Sequence, residues 1–126
     1  MEKIAIKGTD DTPGVILNKE ENKFEFSGKS LPEDVNSFYG PVLKWIDEYS
    51  SSPNPKTEFN FMLTYFNTAS SKVLLDILMK LEDVKSKGGE VQVKWNYPDD
   101  DEDMLEAGKE YADLVDVPFV FTSYKR

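Results

Sequence analysis

A chain of 126 residues with 39% hydrophobic and 31% charged content has the size and balance of one globular domain, able to bury a core without disulfide or metal staples. It contains neither Cys nor His, which excludes disulfides, thiolate nucleophiles and thiolate zinc sites and removes the commonest general base and transition-metal ligand. The formal net charge of −9 repels nucleic acid and anionic lipid; it suits solubility and protein partners with basic surfaces.

The N-terminus, MEKIAIKG, lacks the apolar core of a signal peptide, and the apolar runs are too short to span a bilayer, so a cytoplasmic location is expected. Lys3–Lys7 reads as a first strand, followed by turn residues from Gly8 to Gly14. Val15–Leu17 and Lys23–Ser27 flank the polar stretch Asn18–Asn22 and read as a hairpin.

Ser30-Leu31-Pro32-Glu33 has the spacing of a capping box, and Val35, Phe38, Tyr39, Val42, Ile46 and Tyr49 follow at helical intervals. A first helix is therefore expected from Ser30, bent near Tyr39 by Gly40-Pro41. Ser50–Pro55 ends it in a loop.

Glu58–Tyr65 alternates, with Phe59, Phe61, Leu63 and Tyr65 on one side, as in a half-buried strand. The period then becomes helical: Val73, Leu74, Ile77, Leu78, Leu81 and Val84 form one wide apolar arc, closed by Lys87-Gly88-Gly89. Between the two lies Asn67-Thr68-Ala69-Ser70-Ser71-Lys72, a strand end turning into a helix N-terminus. The first turn of a helix leaves N–H groups unpaired and favours an anion, and three hydroxyls with one lysine stand there; the same short residues are also the preferred caps.

Glu90–Tyr97 alternates again, and burial of Gln92, Lys94 and Asn96 would be costly, so one face of the sheet is expected to be wet, with the helices on the other. Asp99–Asp103 precedes a helix carrying Met104, Ala107, Gly108, Tyr111, Ala112 and Val115. Acids suit a helix start, and the run has neither the spacing nor the glycine of a calcium loop, so no metal site is expected. Pro118–Ser123 is the last strand. Alternating helix and strand after an N-terminal hairpin predicts a two-layer α/β (α+β mixed) domain over residues 1–126, with a mixed, mostly parallel sheet and helices mainly on one face.

The string YFNTASSK before an apolar helix, with FYGPVLKWIDEY upstream and KWNYPDDDEDMLEAG downstream, resembles the SiaC family of bacterial regulatory phosphoproteins, whose domains resemble the anti-sigma-factor-antagonist (STAS) fold. The resemblance spans essentially the whole chain. It implies that Thr68 is phosphorylated, by a histidine-kinase-like protein kinase, and dephosphorylated by a PP2C-type phosphatase. It further implies that the unmodified protein binds an effector such as a diguanylate cyclase, without nucleic acid, membrane or cofactor. The chain departs from the pattern at Ala69, where the family often has serine; the phosphoacceptor is intact.

Counting about 100° per residue, Thr68, Lys72, Leu75 and Met79 share a stripe nearly opposite the core-facing centre of the second helix. With Asn67, Ser70 and Ser71 they form the expected partner-binding set. Leu75 and Met79 are either an exposed docking patch or covered by another segment. Two other functions fit the residues: a protein-interaction subunit in which Thr68 is only part of a helix start, and an enzyme using carboxylate acid-base chemistry, for which no nucleophile–base constellation can be read.

Overall fold

Three strands lead the chain: β1 (Ile4–Ile6), β2 (Gly14–Asn18) and β3 (Lys23–Ser30). Helix and strand then alternate through α1 (Val35–Ser51), β4 (Lys56–Phe66), α2 (Thr68–Ser86), β5 (Glu90–Pro98), α3 (Glu102–Leu114) and β6 (Phe119–Tyr124). These elements come from a computed structural model that describes residues 1–126. One six-stranded sheet contains every strand in sequence order, β1 to β6. The pairs β1–β2 and β2–β3 are antiparallel, and β3–β4, β4–β5 and β5–β6 are parallel.

That order explains the layering. Each parallel connection steps to the next strand in the same direction, and crossovers of one hand taken in one direction place their helices on one face. The inward rows follow the register: Leu17, Phe24, Phe59, Val93 and Phe119 lie side by side, as do Val15, Phe26, Phe61, Trp95 and Phe121. Phe24 stacks on Phe59 and Phe26 on Phe61, with ring centroids 5.1 and 5.2 Å apart. Against them pack Tyr39, Trp45, Ile46 and Tyr49 of α1, Leu74, Ile77, Leu78 and Leu81 of α2, and Met104 and Tyr111 of α3. This single cluster holds the core, and no buried side-chain polar atom lacks a partner.

Three local expectations change, at the first helix start, at Tyr65 and at Asn96. The first helix begins at Val35, not near Ser30: Asp34 is its N-cap, accepting from Ser37 N at 3.1 Å, which holds the exposed Asp34 carboxyl below its usual value. Ser30 instead ends β3 and is buried, because the parallel ladder with β4 runs on to pair it with Phe66. As expected, a single helix continues from Val35 to Ser51 through Pro41, whose missing N–H leaves one helical bond unmade.

Tyr65 is 52% exposed and does not share a face with Leu63. The register passes from Gly28↔Leu63 to Lys29↔Tyr65, so Thr64 is an extra residue on β4 and the alternation reverses beyond it. Gly28, at φ +86°, takes the left-handed conformation beside the shift. Finally, Asn96 is buried on the helix-free face, where its Nδ2 donates to Asn60 Oδ1 and to the Phe61 carbonyl, so the cost of burial is offset. Gln92 and Lys94 remain partly exposed, as a wet face requires.

Candidate regulatory site

The parallel strands β3, β4 and β5 end together at Ser30, Phe66 and Pro98, the edge of an α/β sheet where loops are free to present side chains. At the middle of this edge the bulge turns Phe66 inward. Phe66 meets Trp95 edge-on at 6.4 Å and lies 6.4 Å from the Tyr111 ring, which anchors the chain just before α2. Asn67 follows as N-cap, with extended backbone and its Oδ1 accepting from Ser70 N at 2.9 Å. Its own N–H donates to the Ser30 carbonyl at 3.2 Å.

The helix phase then sorts the hydroxyls. Ser70 is fully buried, donating to the Ser30 carbonyl at 2.9 Å and accepting from Ser30 Oγ at 2.8 Å. Ser30 Oγ is also 2.6 Å from the Tyr39 hydroxyl. Ser71 is half-buried, and its Oγ donates to the Thr68 carbonyl at 2.6 Å. Thr68 alone is exposed, with its hydroxyl outside all these bonds. Lys72, also exposed, forms no ion pair, leaving a free cation one turn beyond the helix start.

Of the residues expected to meet a partner, Asn67, Thr68, Ser71 and Lys72 therefore share one surface turn, and Ser70 does not: its side chain lies inside the protein. The stripe through Leu75 and Met79 also divides. Leu75 is partly buried against the core and lines a groove between α2 and α3 with Phe66, Lys72, Ala107, Tyr111 and Leu114. Met79 is 50% exposed beside Leu43 of α1. Covering and exposure are thus both present, one at each residue.

Sequence reasoning missed three residues here. Leu114 is 65% exposed at the end of the groove, and Tyr65 stands outward beside the helix start. Tyr111 donates its hydroxyl to the Ser71 carbonyl at 2.7 Å. Leu114 carried one signal, an apolar residue outside the buried phase of its helix; the other two depend on the bulge and on how α3 docks.

The acids Asp99–Asp103 lie at the same strand edge. Asp101 caps α3 by accepting from Met104 N at 3.0 Å, Glu102 and Asp103 occupy its first turn, and Asp100 pairs with Arg126 at 3.3 Å. No three acidic side chains in the protein converge as a ligand set. No helix is long and apolar enough to cross a membrane.

A one-sided α/β sheet with a free threonine at a helix start is an architecture that this chain shares with a class of small regulatory domains. The model of the SiaC family of regulatory phosphoproteins matches residues 6–124, and the chain belongs to that family. A relative in Pseudomonas aeruginosa (strain UCBPP-PA14), itself uncharacterised, is 27% identical over 124 residues, covering 98% of each chain. The structure of apo-SiaC from Pseudomonas aeruginosa is 28% identical with a TM-score of 0.87, over 97% of this chain and 99% of that one. SiaC in the crystal structure of the diguanylate cyclase SiaD with its activator SiaC is 27% identical with a TM-score of 0.90, over 96% of this chain and 99% of that one.

Proposed function

We propose that Thr68 is the phosphoacceptor of this protein and that its modification switches binding of an effector off. The observation that carries the reading is that, of Thr68, Ser70 and Ser71, only Thr68 offers an exposed hydroxyl free of other bonds. The chemistry comes from partners: a histidine-kinase-like kinase adds the phosphate and a PP2C-type phosphatase removes it, in the cytoplasm. The chain itself is not an enzyme, needs no cofactor or metal, and engages neither nucleic acid nor membrane.

The effector is proposed to be a diguanylate cyclase, by analogy with the SiaD complex of the related SiaC. Asn67, Lys72 and Met79, with the edges of Ser71 and Leu75, contribute to the contact, joined by Tyr65 and Leu114. A phosphate on Thr68 adds roughly −1.5 to −2 charges. The free N–H groups of the first turn and Lys72 tolerate that charge, so the domain stays folded. Inside a packed contact without matched cations, the same charge costs several kcal/mol, on the order of a thousandfold in affinity.

Incubation with the kinase and ATP, read by intact mass, tests the assignment. One added phosphate that is absent from Thr68→Ala supports it. No mass gain, or an equal gain in Thr68→Ala, returns Thr68 to a structural role.

A further inference from the structure

Three hydroxyls within four residues stand at the start of α2, yet the structure leaves one of them free, and the reason lies beneath the turn. The three buried hydroxyls of Tyr39, Ser30 and Ser70 form a chain in which every proton has one acceptor. Ser70 donates to the Ser30 carbonyl at 2.9 Å and Ser30 donates to Ser70 Oγ at 2.8 Å. With the Ser30 proton used there, the 2.6 Å contact to Tyr39 is a bond that Tyr39 donates. The reverse direction would leave the Tyr39 proton buried with nothing to bond.

The first turn of a helix has no intrahelical bonds for its N–H groups and is held by whatever side chains reach it. Here it is gripped from inside by Ser70 and from α3 by the Tyr111 hydroxyl on the Ser71 carbonyl. That grip fixes the rotation of the turn, so Ser70 points in, Ser71 folds back on the Thr68 carbonyl, and Thr68 points out. We propose that Ser70 is a positioning residue that determines specificity: bound to Ser30, whose hydroxyl is held in turn by Tyr39, it fixes the turn so that Thr68, and not Ser71, reaches the kinase. This rests on the reading of Thr68 as phosphoacceptor.

Removing the Ser70 hydroxyl leaves the Ser30 proton without its acceptor and the Ser30 carbonyl one donor short, and the turn gains freedom to roll. The test phosphorylates the full chain with the histidine-kinase-like kinase of the same organism and ATP, then maps phosphate by tandem mass spectrometry. Wild type carries it on Thr68 alone. Ser70→Ala shares it between Thr68 and Ser71, and kcat/KM at Thr68 falls about fivefold, the factor one lost hydrogen bond is worth.

Tyr39→Phe removes the proton at the far end of the chain without touching the turn. It shifts the distribution in the same direction by less, and it decides the question if Ser70→Ala fails to fold. A folded variant that places all its phosphate on Thr68 at the wild-type kcat/KM overturns the proposal. A wild-type chain left unmodified at Thr68 overturns the phosphoacceptor reading and the proposal together.

Discussion

The Tyr111 hydroxyl donates to the Ser71 carbonyl at 2.7 Å, tying the last turn of α3 to the first turn of α2, where Thr68 is exposed. Residues forty apart in sequence thereby share one bond at the Thr68 end of the sheet. Tyr111 is held there by its rings' company: Trp95 meets it edge-on at 5.7 Å and Phe66 lies 6.4 Å away.

Both tyrosines that support this turn resist ionisation. Burial is the main cause for each, and at Tyr111 the Glu110 carboxylate and then Tyr39 add to it. The neutral phenol is thus favoured in the fold, so above an unfolded value of about 10 the unfolded chain releases protons that the folded chain keeps. Stability from these groups is complete below that pH and falls as pH rises towards their folded values. Titration of the folded protein should show Tyr39 and Tyr111 ionising above the ordinary phenol range, and the urea midpoint should drop less steeply with alkali in the Tyr39→Phe/Tyr111→Phe double variant. Ionisation of these two phenols at the ordinary pH would contradict this.

Gly108 allows α3 to lie directly on Trp95. A Cβ at that position would stand 2.5 Å from Trp95 Cδ1, and the indole is pinned because its Nε1 donates to the Met104 carbonyl at 2.9 Å. Gly108→Ala should therefore cost about 1–3 kcal/mol by overpacking, despite alanine's better helix propensity. Chemical denaturation reads the loss, and the fluorescence of Trp95 should shift with it; an unchanged midpoint would mean that α3 can ride up without cost.

Leu75 and Met79 should separate cleanly. Met79→Asp, at a half-exposed position, should change stability by no more than about 0.5 kcal/mol. Leu75→Asp places a charge in the groove beneath Leu114 and should cost more than about 1 kcal/mol. Loss of effector binding can therefore be assigned to contact in Met79→Asp, whereas Leu75→Asp needs its stability measured alongside. Equal thermal midpoints for the two would show that the groove does not bury Leu75.

Calorimetric titration with calcium or magnesium should show no saturable binding in the micromolar range, because Asp100, Asp101, Glu102 and Asp103 take ion-pair, capping and helix-end roles and the run Asp99–Asp103 does not converge. Saturable binding lost on replacing these acids would reverse that conclusion.

Much of this was legible in the residues. Period-two and helical patterns give every element, because burying one face of a strand or helix writes itself into the sequence. What was illegible depends on pairing. The alternation of β4 predicts Tyr65 inward, and a single extra residue at Thr64, visible only against β3, turns it out and Phe66 in. Ser30 has the spacing of a cap, but a strand that runs three residues further than its apolar pattern takes it into the core. Ser70 looked like its neighbours Thr68 and Ser71; its separate role depends on Ser30, forty positions earlier, and on Tyr39 across the helix layer. A residue's place on a helix is readable from its phase, whereas the partner that covers it, as α3 covers Leu75, is a property of the tertiary fold.

The most direct measurement is the affinity of the full chain for its proposed effector, a diguanylate cyclase of the same organism, with Thr68 free and with Thr68 fully phosphorylated. The unmodified protein should bind, Thr68→Ala should bind comparably and remain insensitive to the kinase, and the phosphorylated protein should bind weaker by on the order of a thousandfold. Equal affinities of the free and phosphorylated forms, with the phosphate verified on Thr68, would contradict the proposed switch.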